Sequence, residues 1–241
     1  MALLEVSGLT KYFGGVRALN GVGVAVNAAE IVGLIGPNGS GKTTFVNAAT
    51  GLVAPDAGRV ILTDRDVTGI PAPAAARAGL ARTFQSPRPF LRMTVLENVA
   101  VAALLRAPRV PDAFRAARDV LELVGLASEA DTPASALPSE RRKRLDLARA
   151  LAVQPRVLFL DEVMAGLNPT EQEEGIALIR RVNALGIAIV YIEHVMETVV
   201  TLCPRVIVLN HGDVIAAGRP GDVLSDPVVV EAYLGSGDAP D

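Results

Sequence analysis

The stretch Ile31-Val32-Gly33-Leu34-Ile35-Gly36-Pro37-Asn38-Gly39-Ser40-Gly41-Lys42-Thr43-Thr44 decides the fold. An apolar run with the character of a buried strand leads into two glycines that bracket four residues, and a Lys-Thr pair follows. That is the spacing of a phosphate-binding loop. Gly36, Gly39 and Gly41 let the backbone turn through conformations closed to other residues and bring its N–H groups close to phosphate oxygens. A helix expected to begin near Gly41 and to run on through residues 45–49 points its positive end at the same anion. Lys42 can reach the β- and γ-phosphates, and the Thr43 hydroxyl is a hard oxygen ligand for Mg²⁺. With Asn38, Ser40 and Thr44 completing the cradle, the segment predicts a site for a nucleoside triphosphate.

Composition allows one large α/β domain or one domain with an inserted subdomain across the 241 residues. Half of the residues are apolar and tryptophan is absent, so the core must rest on Ala, Val, Leu and Ile. No apolar run approaches the about 18 residues that span a bilayer, and the residues before Val6 lack signal-peptide architecture. A cytoplasmic protein is expected, with any membrane association made through a partner. Cys203 is the only cysteine, which excludes an internal disulfide and predicts an inert, partly buried thiol. A net charge of −3 gives no case for nucleic acid.

Outward from the loop, β-like stretches at residues 3–6 and 22–26 precede it, and residues 59–63 and 80–84 read as strands after it. From 86 to about 135 prolines punctuate helical patterns at 95–106 and 113–124. Helix 142–153, strand 157–160, helix 170–184 and strand 187–192 restore the α/β rhythm. Residues 206–209 and 214–217 form a hairpin around Asn210-His211-Gly212-Asp213. A closing helix at 224–234 is broken at Pro227, and 235–241 is a frayed tail. Alternating strands and helices argue for a mainly parallel sheet flanked by helices on both faces. The domain reading is a single unit over 1–241, with its core at 1–85 and 154–234 and a helical subdomain over about 86–153.

Val157-Leu158-Phe159-Leu160-Asp161-Glu162 carries four apolar residues into two carboxylates. Ligands of a parallel sheet gather at the carboxyl ends of its strands. Adjacent residues on a strand face opposite ways, which gives the acids different work. Asp161 can hold Mg²⁺ directly or through water, and Glu162 can orient and polarise an attacking water.

From about Leu4 to Leu234 the chain resembles the ATP-binding subunit of an ABC transporter. The resemblance implies an α/β fold of the P-loop NTPase type with an N-terminal antiparallel β subdomain and an inserted helical subdomain. It implies ATP and Mg²⁺ as cofactors. Phe13, in Lys11-Tyr12-Phe13-Gly14-Gly15, resembles the aromatic that stacks on adenine, with Tyr12 as runner-up. Gln85, closing Arg82-Thr83-Phe84-Gln85, resembles the glutamine that touches Mg²⁺ and the water and reports to the transmembrane partner. Ala165-Gly166-Leu167-Asn168-Pro169 resembles the loop that crosses to the other protomer. His194 resembles the histidine that contacts the γ-phosphate, while His211 is assigned no role.

The segment Leu137-Pro138-Ser139-Glu140-Arg141-Arg142-Lys143-Arg144-Leu145 occupies the place of the family signature but departs from it. Pro138, Ser139 and Glu140 stand where the family has a serine and two glycines. There Ser139 is the residue expected to touch nucleotide on the opposite protomer. A carboxylate about 5 Å from that γ-phosphate would cost roughly 3 kcal/mol at an effective dielectric of about 20. The basic run at 141–144 could neutralise or redirect Glu140, or Ser139 could cap the following helix with Glu140 in its first turn. The run itself reads either as a solvated helix face or as phosphate contact across a dimer. Val163 also departs, standing where the family has proline, which should loosen the strand exit.

The segments 82–90 and 93–98, Pro138, and the closing 226–235 are similar to ATPases of branched-chain amino-acid importers, with urea-importer and lipopolysaccharide-export ATPases sharing much of the pattern. The resemblance implies an ATPase subunit peripheral on the inner face of the membrane. Its implied partners are transmembrane permease subunits, a second ATP-binding subunit, identical or not, and indirectly a substrate-binding protein. An alternative of another class is a nucleotide-binding module with weak or regulatory ATPase activity, the impaired half of a heterodimer.

Overall fold

A computed structural model describes residues 2–235. The chain opens with β1 (Leu4–Phe13), β2 (Val16–Val26) and β3 (Ile31–Ile35), then α1 (Lys42–Ala49), β4 (Ala57–Leu62), β5 (Arg65–Asp66), α2 (Ala72–Ala78) and β6 (Leu80–Arg82). Helices follow without strands: α3 (Val95–Ala103), α4 (Val110–Val124) and α5 (Ser139–Ala152). Then come β7 (Val157–Asp161), α6 (Pro169–Ala184), β8 (Ala188–Ile192), α7 (Met196–Leu202), β9 (Arg205–Asn210), β10 (Asp213–Gly218), α8 (Pro220–Leu224) and α9 (Pro227–Gly235).

Two sheets result. The larger has the order β10-β9-β3-β8-β7-β6, parallel from β9 to β6 and antiparallel only at β10. The smaller has the order β2-β1-β4-β5 and is antiparallel throughout. Strands β3, β7 and β8 are buried at every position, as expected of parallel strands covered on both faces. Their side chains divide by parity. Leu158, Leu160, Ile189 and Tyr191 join the core shared with α3–α7. Val157, Phe159, Val190 and Ile192 join the core shared with α1 and the antiparallel sheet. The carboxyl ends of β3, β7 and β8 thus open on one edge, between two layers that pack independently.

The structure corrects several boundaries. The N-terminal strands are longer than the short stretches expected, because β1 crosses register shifts near Leu9 that interrupt its alternation. Strand β6 stops at Arg82 because the Phe84 N–H turns to the Asp146 side chain instead of a neighbouring strand. Helix α3 ends at Ala103, after which Leu105 and Arg106 donate three residues back in tighter turns. Helix α4 starts at Val110, with Pro111 in its first turn, where proline is tolerated. Helix α5 starts at Ser139. The expected closing helix is two helices, and Gly235 belongs to the second; residues 236–241 of the expected tail lie outside the described residues. Cys203 is fully buried, which pushes its thiol up to about 12. No helix among the described residues is long and apolar enough to cross a membrane.

Candidate functional site

The loop 36–41 leaves β3 and enters α1, whose N-cap is Gly41. Gly36 has φ +144°, and a Cβ there would lie 2.0 Å from the Leu209 carbonyl oxygen. Only glycine fits that passage between strands. The loop is braced from outside: the Gly212 N–H donates to the Ser40 carbonyl at 2.9 Å, and the Asn20 N–H to the Gly212 carbonyl at 2.9 Å. Lys42 is nearly buried and curls over the loop, its Nζ donating to the carbonyls of Gly36 (2.6 Å) and Pro37 (2.9 Å).

Above the loop lies an open cleft of about 400 Å³. Asn38, Gly39, Ser40, Gly41, Lys42, Thr43 and Thr44 form its floor; Gln85, Glu162 and His194 converge on it from three other elements. Val16, Arg17, Ala18 and His211 complete its walls. A second cleft of about 540 Å³ shares Thr43 and Gln85 and is lined by Asn47, Arg82 and Asp161.

The two acids at the end of β7 do divide, though not by simple strand alternation. Asp161 is the last strand residue, 3% exposed, and its Oδ2 accepts from Arg82 Nη2 at 2.9 Å. Arg82 also donates to Asn47. Burial raises the Asp161 carboxyl above the usual carboxylate range, the Arg82 charge pulling against it and the Glu162 charge adding to it. Glu162 leaves the strand in the left-handed region, φ +50°, with its N–H donating to the Ile192 carbonyl at 2.9 Å. That conformation costs a non-glycine residue about 1–3 kcal/mol, a kind of strain concentrated at functional sites. It turns the carboxylate into the cleft above the loop, where Gln85 Nε2 donates to Oε2 and His194 Nε2 lies 2.7 Å from Oε1.

The donor set suits Mg²⁺. Thr43, Gln85 and Asp161 offer hard oxygens, and among the described residues no group of three or more His, Cys, Asp or Glu side chains could hold a metal alone. Mg²⁺ ordinarily keeps its waters and takes one or two carboxylates plus substrate phosphates.

The aromatics expected to stack on adenine do not line the cleft. Phe13 and Tyr12 are exposed to nearly the same degree (49% and 48%), and Lys11 Nζ lies 5.6 Å from the Phe13 ring centroid. Ser139 is exposed and is not the helix cap: Pro138 takes that position, and no side chain caps α5. Glu140 sits in the first turn, bonded to Arg144 and 3.5 Å from Arg141 Nε. The basic run is half-buried, and each member also bonds within the chain. Arg141 donates to the Gly125 carbonyl, Arg142 to that of Ser135, Lys143 to that of Ala165, and Arg144 also to Glu174.

Several residues escaped sequence reading. Arg82 and Asn47 have no local signal, since their partners are far along the chain. Asp146, 5% exposed, accepts the Phe84 N–H at 2.8 Å and so ties the segment carrying Gln85 to α5. Glu193, fully buried beside His194, reads only as a strand terminus.

Comparison with known proteins gives a consistent result. A family model described as ABC transporter matches residues 19–165. A second, described as branched-chain amino acid ATP-binding cassette transporter, matches residues 214–239. The chain is 41% identical to the high-affinity branched-chain amino acid transport ATP-binding protein LivG of Escherichia coli (strain K12), over 97% of this chain and 98% of that protein. It is 38% identical to the corresponding protein BraF of Pseudomonas aeruginosa, with the same coverage. A solved ATP-binding cassette of an ABC transporter in its ADP conformation superposes with a TM-score of 0.88 at 33% identity, covering 98% of this chain and 99% of that one.

Proposed function

The chain belongs to the ABC transporter ATP-binding family, and from that premise we propose that it binds Mg-ATP and hydrolyses it to drive a transmembrane permease. The cargo is branched-chain or other hydrophobic amino acids, delivered by a substrate-binding protein. The subunit pairs with a second ATP-binding subunit around the nucleotide and sits on the inner face of the membrane against the permease. Its core spans 1–85 and 154–234, with the helical subdomain of 86–153 facing the permease.

One observation carries this reading: the Glu162 carboxylate is held by Gln85 and beside His194 at the rim of the cleft floored by residues 38–44. Lys42 and the loop N–H groups hold the β- and γ-phosphates, releasing the Lys42 ammonium from the loop carbonyls. Thr43, Gln85 and Asp161 hold Mg²⁺, which neutralises charge on the phosphate oxygens when bound. Glu162 orients the attacking water and accepts its proton. His194 fixes the Glu162 carboxylate and hydrogen-bonds the γ-phosphate region, where developing charge must be stabilised. Phe13, at the hairpin leading to the Val16–Ala18 wall, stacks on adenine.

The pairing of Glu140 with Arg144 and Arg141 supports hydrolysis over a nucleotide module that merely glues a dimer, because it neutralises the charge a partner's phosphate would meet. The test is Glu162→Gln in the purified chain with its permease. Nucleotide affinity stays within about twofold while turnover falls by at least about 100-fold; undiminished turnover removes Glu162 from the mechanism.

A further inference from the structure

Glu193 has no solvent exposure, lines neither cleft, and among the described residues forms no ion pair. Its two oxygens face two different segments. One accepts the Met164 N–H at 2.6 Å, in the loop that carries the chain away from Glu162. The other accepts the N–H of His194 at 3.3 Å. The preceding residue, Ile192, accepts the Glu162 N–H at 2.9 Å, and the following one, His194, lies 2.7 Å from the Glu162 carboxylate. Three consecutive residues at the end of β8 therefore grip the backbone on both sides of Glu162 and its side chain as well.

We propose that Glu193 is a positioning residue that clasps the loop after Glu162 to the turn carrying His194, fixing the distance between those two side chains. The inference rests on the hydrolytic reading of Glu162 and His194 given above. A buried carboxylate is a costly way to fill space: burial pushes Glu193 up to about 7, with the Met164 and His194 amides and the Lys143 charge pulling against it and the Glu162 charge adding to it. Glutamine would occupy the same volume, yet it sets an NH2 donor where one of the two oxygens now meets an N–H. The clasp reaches further than the two loops. Met164 is anchored by its buried side chain, which lies over Gly175 of α6, and the next residue, Ala165, accepts from Lys143 of α5. The position of α5 is thereby tied to the same loop that Glu193 fastens to His194.

The experiment compares wild type, Glu193→Gln and Glu162→Gln in the full chain with its permease, reading kcat, KM, nucleotide affinity and amide exchange at Met164 and His194. In Glu193→Gln, affinity and KM stay within about twofold, exchange at one or both amides accelerates, and kcat falls about 10- to 100-fold, the scale of a catalytic group displaced by about 1 Å. Wild-type kcat in this variant, or unchanged exchange at both amides, overturns the proposal. A wild type that binds Mg-ATP without turnover, or a Glu162→Gln variant as active as wild type, instead removes the hydrolytic reading. Amide exchange still reports whether the clasp exists.

Discussion

Arg82 donates to Asp161 across 2.9 Å, with the two side chains only 8% and 4% exposed. The carboxylate assigned to Mg²⁺ is thus already partnered by a cation from the neighbouring strand. Arg82 is itself lowered from its usual range by burial, which the Asp161 and Asp146 charges oppose. Removing one member of such a pair leaves a buried charge. Arg82→Ala is expected to lower stability by about 3–5 kcal/mol in chemical denaturation. Arg82→Lys should not restore it, because an ammonium cannot reach Asn47 and Asp161 with the same fork. A loss below about 1 kcal/mol would mean that water enters and solvates Asp161.

Gly36 sets a sharp contrast with Gly39 in the same loop. Alanine at 36 places its Cβ 2.0 Å from the Leu209 oxygen, whereas at 39 (φ +76°) it meets nothing within 4 Å. Gly36→Ala should cost roughly 3 kcal/mol or more, and Gly39→Ala only the roughly 1–2 kcal/mol of a left-handed residue. Thermal melts of the two variants side by side check the ordering.

Glu140 is kept neutralised chiefly by Arg144, so the effect of that arginine should appear only across the dimer. Arg144→Ala is expected to slow turnover of the assembled transporter several-fold through a carboxylate left to face phosphate. Nucleotide affinity of the isolated chain should not change. Adding Glu140→Gly to Arg144→Ala should recover the rate. Failure of the double variant to recover would assign Arg144 a role of its own through Glu174.

Glu193 gives the molecule a pH signature of known sign. Its carboxyl lies at about 7 in the fold against 4.5 in the unfolded chain. The folded state therefore holds a proton that the unfolded state has released between those values. The group's contribution is fully present below about 4.5 and is lost as pH rises through about 7. Relative to Glu193→Gln, the wild type should lose on the order of 3 kcal/mol of stability across that window. Parallel stability curves for the two proteins would contradict it.

What the sequence disclosed follows from where information is local. The apolar runs of β3, β7 and β8 were legible because strands buried on both faces need no alternation. The phosphate loop was legible because its glycines are dictated by backbone geometry. Strand β1 is longer than its local pattern suggests because its register shifts break the period. Residue type alone favours Ser139 as a cap, while Pro138, with an extended backbone, holds that place. Glu162 is legible as the second acid closing an apolar strand, and Gln85 and His194 only through the resemblance to the family; the structure brings the three side chains together. Arg82, Asn47 and Glu193 are not legible, because each acquires meaning only from a partner that folding brings to it.

The left-handed backbone at Glu162 also sets what selection can do at this position. Glycine would adopt that conformation without penalty, so the substitution that relaxes the chain most there is also one that deletes the carboxylate. A search for heat resistance alone would drift toward glycine at 162, giving up the carboxylate for durability. On the proposed mechanism, glutamate at 162 is kept for the reaction rather than for the fold.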